Sequence, residues 1–381
     1  MLDVAVYVHF PWCLRKCPYC DFATSPLERD AIPHAGYADA VVRELAMRMA
    51  TLPESRLVSV FFGGGTPSLW EPRELGRVLR SIRAAFATQH ADVEITVECN
   101  PSSLDRPRAE ALREAGVNRL SVGVQSLDDD ELRFLGRLHD RALALEALEA
   151  AQSAFERVSA DLMFALPGQP AERFYGYLEQ LLERGLSHVS AYALTIEPAT
   201  KFGSDARAGL LAAAPDESYA TMYEGIEQLF TGAGFDHYEV SNYARKGEES
   251  RHNQHYWLGG SYLGLGAAAV GCISPRSGRR YRNHPDAARY TERAATPAVE
   301  VFQEQLSGED LIKEALMLGL RTAGGVDLTA LAERTGVDPL AARKRAVERR
   351  LARGDLALEA GVLRVPQRRW LMLDGIVADL F

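Results

Sequence analysis

The chain has 381 residues, with 43 Lys plus Arg against 52 Asp plus Glu and a formal net charge of −9 at pH 7. At 47% hydrophobic and 25% charged residues the composition is that of a globular protein, which excludes disordered and fibrous classes. The acidic balance disfavours a nucleic-acid scaffold, and no apolar run approaches the ~18 residues of a membrane span. The opening MLDVAVYVHFPWC lacks the basic region and cleavage site of a signal peptide, so a soluble, cytoplasmic protein is expected.

Short β-branched runs alternate with helical periodicity. Strands are predicted at 4–8, 57–62, 93–97, 119–124, 158–164 and 187–194, and helices at 37–49, 72–86, 106–115, 141–155 and 172–184. One helix between successive strands means βαβ crossovers and a parallel sheet. Six units suit an open, partial (β/α)6 barrel; a doubly wound sheet is the competing α/β arrangement. In both, the chemistry belongs beyond the C-terminal strand ends. The residues there are the cysteine cluster, then Gly63 to Pro67, then Glu98 to Pro101, Gln125, Asp161, and finally Thr195 and Glu197.

Beyond this, 216–230 reads as an amphipathic helix with Asp216 as its cap. The segment His252-Asn253-Gln254-His255-Tyr256-Trp257 follows, then a small-residue stretch from Gly264 to Ala269 where backbones can approach closely. From about residue 306 the text becomes helical again: 310–320, 326–335, a basic stretch 339–353, a turn near Ala360-Gly361, and a last helix at 368–380. This unit is winged-helix-like. The expected organisation is a barrel over 1–200, an extension over 201–305 and a terminal unit over 306–381. The basic helix is weighed as a DNA reader, but acidic interruptions favour a solvated face or docking of the last helix, so no nucleic-acid partner is expected.

Three of the five cysteines, Cys13, Cys17 and Cys20, lie within eight residues directly after the first strand. Structural zinc needs four ligands, so this trio requires a remote fourth such as His9, His34 or Cys99. The other reading is a 4Fe–4S cluster held by three thiolates with one iron left open.

The spacing CxxxCxxC after strand one, with Gly-Gly-Gly-Thr-Pro after strand two, resembles the radical S-adenosylmethionine (SAM) superfamily. Tyr7 to Cys13, Gly123 to Ser126 and Asp161 to Met163 resemble its oxygen-independent coproporphyrinogen III oxidase group, with matching text from residue 4 to about 275. The resemblance implies that Cys13, Cys17 and Cys20 ligate a 4Fe–4S cluster and that Tyr7 and Tyr19 pack around SAM. It also implies that Gly64, Gly65 and Thr66 meet the methionine moiety, and that Glu98, Gln125, Arg137 and Asp161 supply polar contacts. Ala193 and Val270 would line the adenine or second-ligand wall. A glycine run admits close backbone approach, and carboxylates and arginine complement ammonium and carboxylate groups.

Within that group the oxidases carry a further cysteine where this chain has Phe22, and a longer segment before the first strand. The chain instead resembles the heme-chaperone subgroup, through Cys20-Asp21-Phe22 and the HNxxYW motif. That resemblance implies heme binding, with His252 as the implicated ligand and His255 as a second candidate, and acceptor hemoproteins, respiratory enzymes among them, as partners. Imidazole is a standard axial ligand of heme iron. The alternative is radical decarboxylation of coproporphyrinogen III, and whether the chain turns over any substrate stays open.

Overall fold

The computed structural model describes residues 1–273 and 278–381; the far end of the family-like text, 274–277, lies outside the described residues. Six parallel strands form the centre: β1 (Leu2–Phe10), β2 (Ser55–Gly64), β3 (Thr88–Cys99), β4 (Arg119–Gln125), β5 (Arg157–Phe164) and β6 (His188–Ala193). They lie in consecutive order, each hydrogen-bonded to the next. Consecutive order is the topology of a barrel; a doubly wound sheet reverses direction at a switch point. The barrel stays open, because among the described residues the sheet's two edge strands do not pair with each other.

The segment after β6 adds strands to both edges of this sheet. On one side come β7 (Asp236–Glu239) and β8 (Asn242–Ala244). On the other, β9 (Ser261–Leu265) pairs parallel with β1, followed by β10 (Val270–Ile273), β11 (Arg279–Asn283) and β12 (Glu300–Gln305). The sheet therefore has twelve strands, in the order β12-β11-β10-β9-β1-β2-β3-β4-β5-β6-β8-β7. The small-residue stretch 264–269 is thus the end of a strand and the turn beyond it, a role its glycines and alanines conceal from a propensity-based reading.

The helices His34–Met49, Pro72–Ala85, Arg106–Glu114, Arg141–Ala154 and Ala171–Glu183 fill the crossovers. Pro72–Ala85 shows why they pack. It turns Leu75, Val78, Leu79 and Ile82 inward at helical spacing, and each buried side chain contributes about 1.5–3 kcal/mol. Asp105 and Asp140 cap the helices that follow them through their side chains. Asp216 is no cap: Pro215 holds that position and Asp216 sits in the first turn, where a carboxylate still complements the helix dipole. A short helix, Asp129–Phe134, capped by Asp128, adds to the expected elements.

A parallel sheet covered on both faces normally carries near-continuous apolar strands. Here the outward residues are apolar (Val4, Val6, Val8, Val60, Phe62, Ile95, Val97, Leu120, Val122), whereas inward positions include the buried polar residues Ser59, Glu94, Thr96, Arg119, Ser121, Ser159, His188 and Ser190. The barrel interior is polar, and every buried group there needs a partner.

The terminal unit comprises helices Gly308–Gly319, Leu328–Thr335 and Lys344–Ala352 with a three-stranded sheet of Val326–Asp327, Ala357–Glu359 and Val362–Arg364. The basic helix starts later than its composition suggests, at Lys344, and three arginines of the basic stretch face acids of the same chain. Arg343 is buried and pairs with Glu309, while Arg349 and Arg350 pair with Asp379 of the terminal segment at 3.2 and 3.0 Å. The expected last helix is a 3-10 turn (Gln367–Met372) continuing into Leu373–Ala378. No helix among the described residues is long and apolar enough to cross a membrane.

Candidate functional site

Two adjoining cavities open at the C-terminal side of the central strands. The smaller, about 360 Å³, is lined by Cys13, Cys17, Cys20, Tyr19, Gly64, Gly65, Thr66, Glu98, Gln125, Arg137 and Asp161. The larger, about 750 Å³, is lined by Tyr7, His9, His252, Tyr256, Val270 and side chains of the terminal unit. Phe22, Phe61, Gly64, Glu98 and Asn253 belong to both walls.

The cysteine loop is held by the protein around it. Trp12 sits in an aromatic cage with Phe10 and Tyr37 at 5.2 and 4.8 Å between ring centroids. Trp12–Cys13 pairs with Ser25–Pro26 as a short two-stranded ribbon, and Pro18 accepts the backbone N–H of Phe202. Burial raises the Cys13 and Cys20 thiols above their usual range. The three thiols line one cavity, yet among the described residues no group of three or more His, Cys, Asp and Glu side chains converges as a single metal ion requires.

The glycine run explains how the loop reaches this position. Gly64 has φ +109°, and a Cβ on it would lie 2.5 Å from the His9 ring; a Cβ on Gly65 would lie 2.4 Å from the Trp12 carbonyl. Only glycine lets the two strands' ends close on each other. The N–H groups of Gly65 and Thr66 donate to the carbonyls of Phe10 and Trp12 at 2.7 and 2.8 Å, and that of Gly64 donates to Glu98 at 3.1 Å. The N–H groups of Gly64, Gly65 and Thr66 are thus engaged within the protein.

Around the cavity the polar groups are tuned by burial. Glu98 is pushed up to about 8, by burial first and then by the charge of Asp161. Asp161 is also raised by burial, although it accepts from Ser121 at 2.8 Å and Ser159 at 3.2 Å. Two buried carboxyls whose charges repel each other do not readily ionise together. Gln125 ends β4 with φ 68°, a conformation that side chains other than glycine's adopt at a cost of ~1–3 kcal/mol and that clusters at functional sites. Arg137 donates to the Gly123 carbonyl at 2.7 Å and approaches the Cys17 sulfur at 3.7 Å. Its Nε is buried with no partner among the described residues, a donor awaiting an acceptor.

His252 opens the helix Arg251–Trp257, which Ser250 caps through its side chain. Its backbone N–H donates to Glu94 at 2.9 Å, its Nδ1 meets the Ser59 hydroxyl at 2.9 Å, and its ring lies 5.0 Å from that of Phe61. Burial lowers its pKa to about 3, so the ring is neutral. Serine holds Nδ1, and no hydrogen-bond partner engages Nε2 among the described residues. His255 is differently placed: its Nε2 pairs with the Ser261 carbonyl at 2.8 Å, its ring packs against Gly260, and it lines neither cavity.

Tyr7 and Val270 are on the wall of the larger cavity, Val270 in keeping with a second-ligand wall. Ala193 lines neither cavity, because strand alternation turns His188, Ser190 and Tyr192 inward and leaves Ala193 packed against the core. Thr195 and Glu197 also line neither. Residues that sequence reasoning missed are Arg119, Ser121, His188, Ser190, Tyr192 and Asn253. The signal that could have found the strand residues is the polar half of the alternation in strands predicted to be buried.

A consecutive parallel half-barrel with a three-cysteine loop at its C-terminal mouth defines the radical SAM framework. Residues 7–181 match the radical SAM superfamily, and residues 306–372 match the HemN C-terminal domain. Radical S-adenosyl methionine domain-containing protein 1, mitochondrial, of Mus musculus is 37% identical over 99% of this chain and 87% of its own. The heme chaperone HemW of Escherichia coli (strain K12) is 38% identical over 73% of this chain and 72% of its own. The solved structure of coproporphyrinogen III oxidase (HemN) from Escherichia coli superposes with a TM-score of 0.81, covering 100% of this chain and 90% of that one, at 20% identity, a likeness of fold. The chain belongs to the radical SAM superfamily, in the HemN-related family that contains the HemW heme chaperones. Membership implies a 4Fe–4S cluster and SAM.

Proposed function

We propose that this protein binds heme in the larger cavity and passes it to acceptor hemoproteins, on a scaffold that carries a 4Fe–4S cluster and SAM in the smaller one. The observation that carries the reading is His252: a neutral imidazole, its Nδ1 held by Ser59, on the wall of a largely apolar cavity of about 750 Å³. A metal-binding imidazole typically has its other nitrogen fixed in this way, and flat aromatic ligands take mostly apolar sites with a few placed polar groups. Relatives named as heme chaperones support the same reading.

In this reading Cys13, Cys17 and Cys20 would hold the cluster. The residues fit the group: the thiols line one cavity, the glycines leave room, and the Arg137 Nε lacks an acceptor. The chemistry such a cluster supplies when bound is one-electron reduction of a sulfonium ligand. The chain's part is to orient that ligand. Arg137 would pair with its carboxylate, and Glu98 and Asp161 would receive its positive groups. A positive group beside these carboxyls would favour their ionised form. Tyr19 closes the side of this cavity.

The decisive experiment is titration of the reconstituted protein with hemin, followed by mixing with an apo-hemoprotein. Appearance of the acceptor's own absorption spectrum supports delivery; retention of heme or failure to bind refutes it. A second reading, radical decarboxylation of a porphyrinogen, is favoured by one observation: the two cavities share the wall formed by Phe61, Gly64, Glu98 and Asn253. Anaerobic assay with a strong reductant separates them, since a chaperone yields no decarboxylated product.

A further inference from the structure

We propose that Arg334, contributed by the terminal unit, anchors a carboxylate of the ligand in the larger cavity; this rests on the heme-binding reading above. Arg334 lies on the helix Leu328–Thr335 and lines that cavity. Its Nη1 donates to the Gly259 carbonyl at 2.8 Å and, weakly, to that of Leu258 at 3.5 Å. Its Nε is buried without a partner, and no carboxylate lies within 4.0 Å of it among the described residues. A buried donor left unpaired is costly in a folded protein, and an acceptor supplied by a ligand in the cavity would satisfy it.

The other arginine of the wall offers no such capacity. Arg280 is engaged by Glu304 at 3.0 Å and by Glu314. Arg334 is therefore the cation of this cavity free to meet an anion among the described residues. Its pose is built by its neighbour: Gly259 has φ +73°, and any Cβ there would lie 2.7 Å from Nη1. Gly259, just beyond the HNxxYW helix, thus seats the arginine against the end of the helix that carries His252. The wall also carries Tyr256, Tyr262, Leu311 and Met317, and its carboxylates are Glu98 and Glu314, of which Glu314 is taken up by Arg280.

A flat apolar body with an acid group at its edge satisfies both halves of this lining. A heme propionate has that chemistry, and a guanidinium pairs with a carboxylate through two parallel N–H···O bonds. The terminal unit then completes the site instead of merely capping the barrel.

The test is a Soret titration of the full chain with hemin and with its dimethyl ester, using wild type, Arg334→Gln and Arg334→Lys. Arg334→Gln is expected to weaken hemin roughly tenfold, the scale of one charge-assisted pair, with Arg334→Lys between it and wild type. The ester should bind wild type and Arg334→Gln alike, and wild type less tightly than hemin does. Equal binding of ester and hemin to wild type overturns the proposal without reference to any variant. An equal loss for both ligands in Arg334→Gln also overturns it, by making the arginine a packing residue. Hemin binding that is tight in wild type and unchanged in Arg334→Gln leaves the heme reading standing and removes the anchor. Binding of neither ligand by wild type sinks the heme reading itself, and the anchor with it.

Discussion

Glu94 of the third central strand accepts the backbone N–H of His252 at 2.9 Å, across 158 residues of sequence. The same carboxylate receives the N–H of Arg251 at 3.2 Å and pairs with Arg157 at 2.8 Å. Burial acts to raise its pKa, but the charges of Arg119 and Arg157 and these N–H groups prevail, so it stays ionised below the usual carboxylate range. A fixed negative charge at the start of a helix is stabilising, and here it ties the motif helix to the floor of the barrel. The position of His252 is thereby set by the barrel interior.

The Ser59 hydroxyl should therefore matter to heme through His252. His252→Ala is expected to keep its iron and sulfide content and to lose tight heme binding. Ser59→Ala should weaken it by several-fold, since one buried hydrogen bond is worth about 1 kcal/mol. Soret titrations alongside iron and sulfide counts test this; a His252→Ala protein with wild-type heme affinity removes the imidazole from the site.

Gly65→Ala places a methyl 2.4 Å from the Trp12 carbonyl, a clash with backbone that cannot be relieved by a rotamer. The expected outcome is a folded protein whose cysteine loop is displaced and which takes up little iron on reconstitution. Iron and acid-labile sulfide per chain, with circular dichroism as the folding control, decide it. Full uptake would mean the loop tolerates the shift.

Arg137→Gln should retain the iron–sulfur content and weaken SAM binding roughly tenfold, the scale of one charge-assisted pair. The check is equilibrium binding of SAM to the reconstituted protein. An unchanged affinity would show that the unpaired Nε has another acceptor.

Stability should fall on mild acidification. Burial lowers His9, His139 and His237 to about 4 and His188 well below its usual value. Each is neutral when folded and free to protonate near 6.5 when unfolded, so the unfolded state binds more protons as pH drops below 6.5. Their stabilising contribution is full above pH 6.5 and is lost progressively toward pH 4. The carboxyls that burial raises, Glu98 to about 8 and with it Glu44, Glu131, Asp161 and Glu227, have the opposite sign and offset part of this loss, whereas His252, lowered to about 3, adds to it. Urea midpoints at pH 7 and pH 4.5 measure the balance; equal midpoints would contradict it.

Much was legible because it is local. The six central strands and five crossover helices follow from periodicity, and the cysteine spacing with the glycine turn marks the cofactor end of the barrel. The HNxxYW text marks a second site nearby. The hidden parts depend on contacts far apart in sequence. Strand β9 could not be read from a glycine-rich stretch, because pairing with β1 makes it a strand. His255 and His252 are three residues apart on one short helix and look alike as text. Neighbouring strands leave one on the wall of a cavity and hydrogen-bond the other to a backbone carbonyl. By itself the sequence determined the α/β class, the cysteine trio and the family to which it belongs, since these rest on short-range pattern. Only the tertiary structure decided which polar side chains share a cavity and which donors remain unpaired, because burial and pairing are properties of surfaces that meet only after folding.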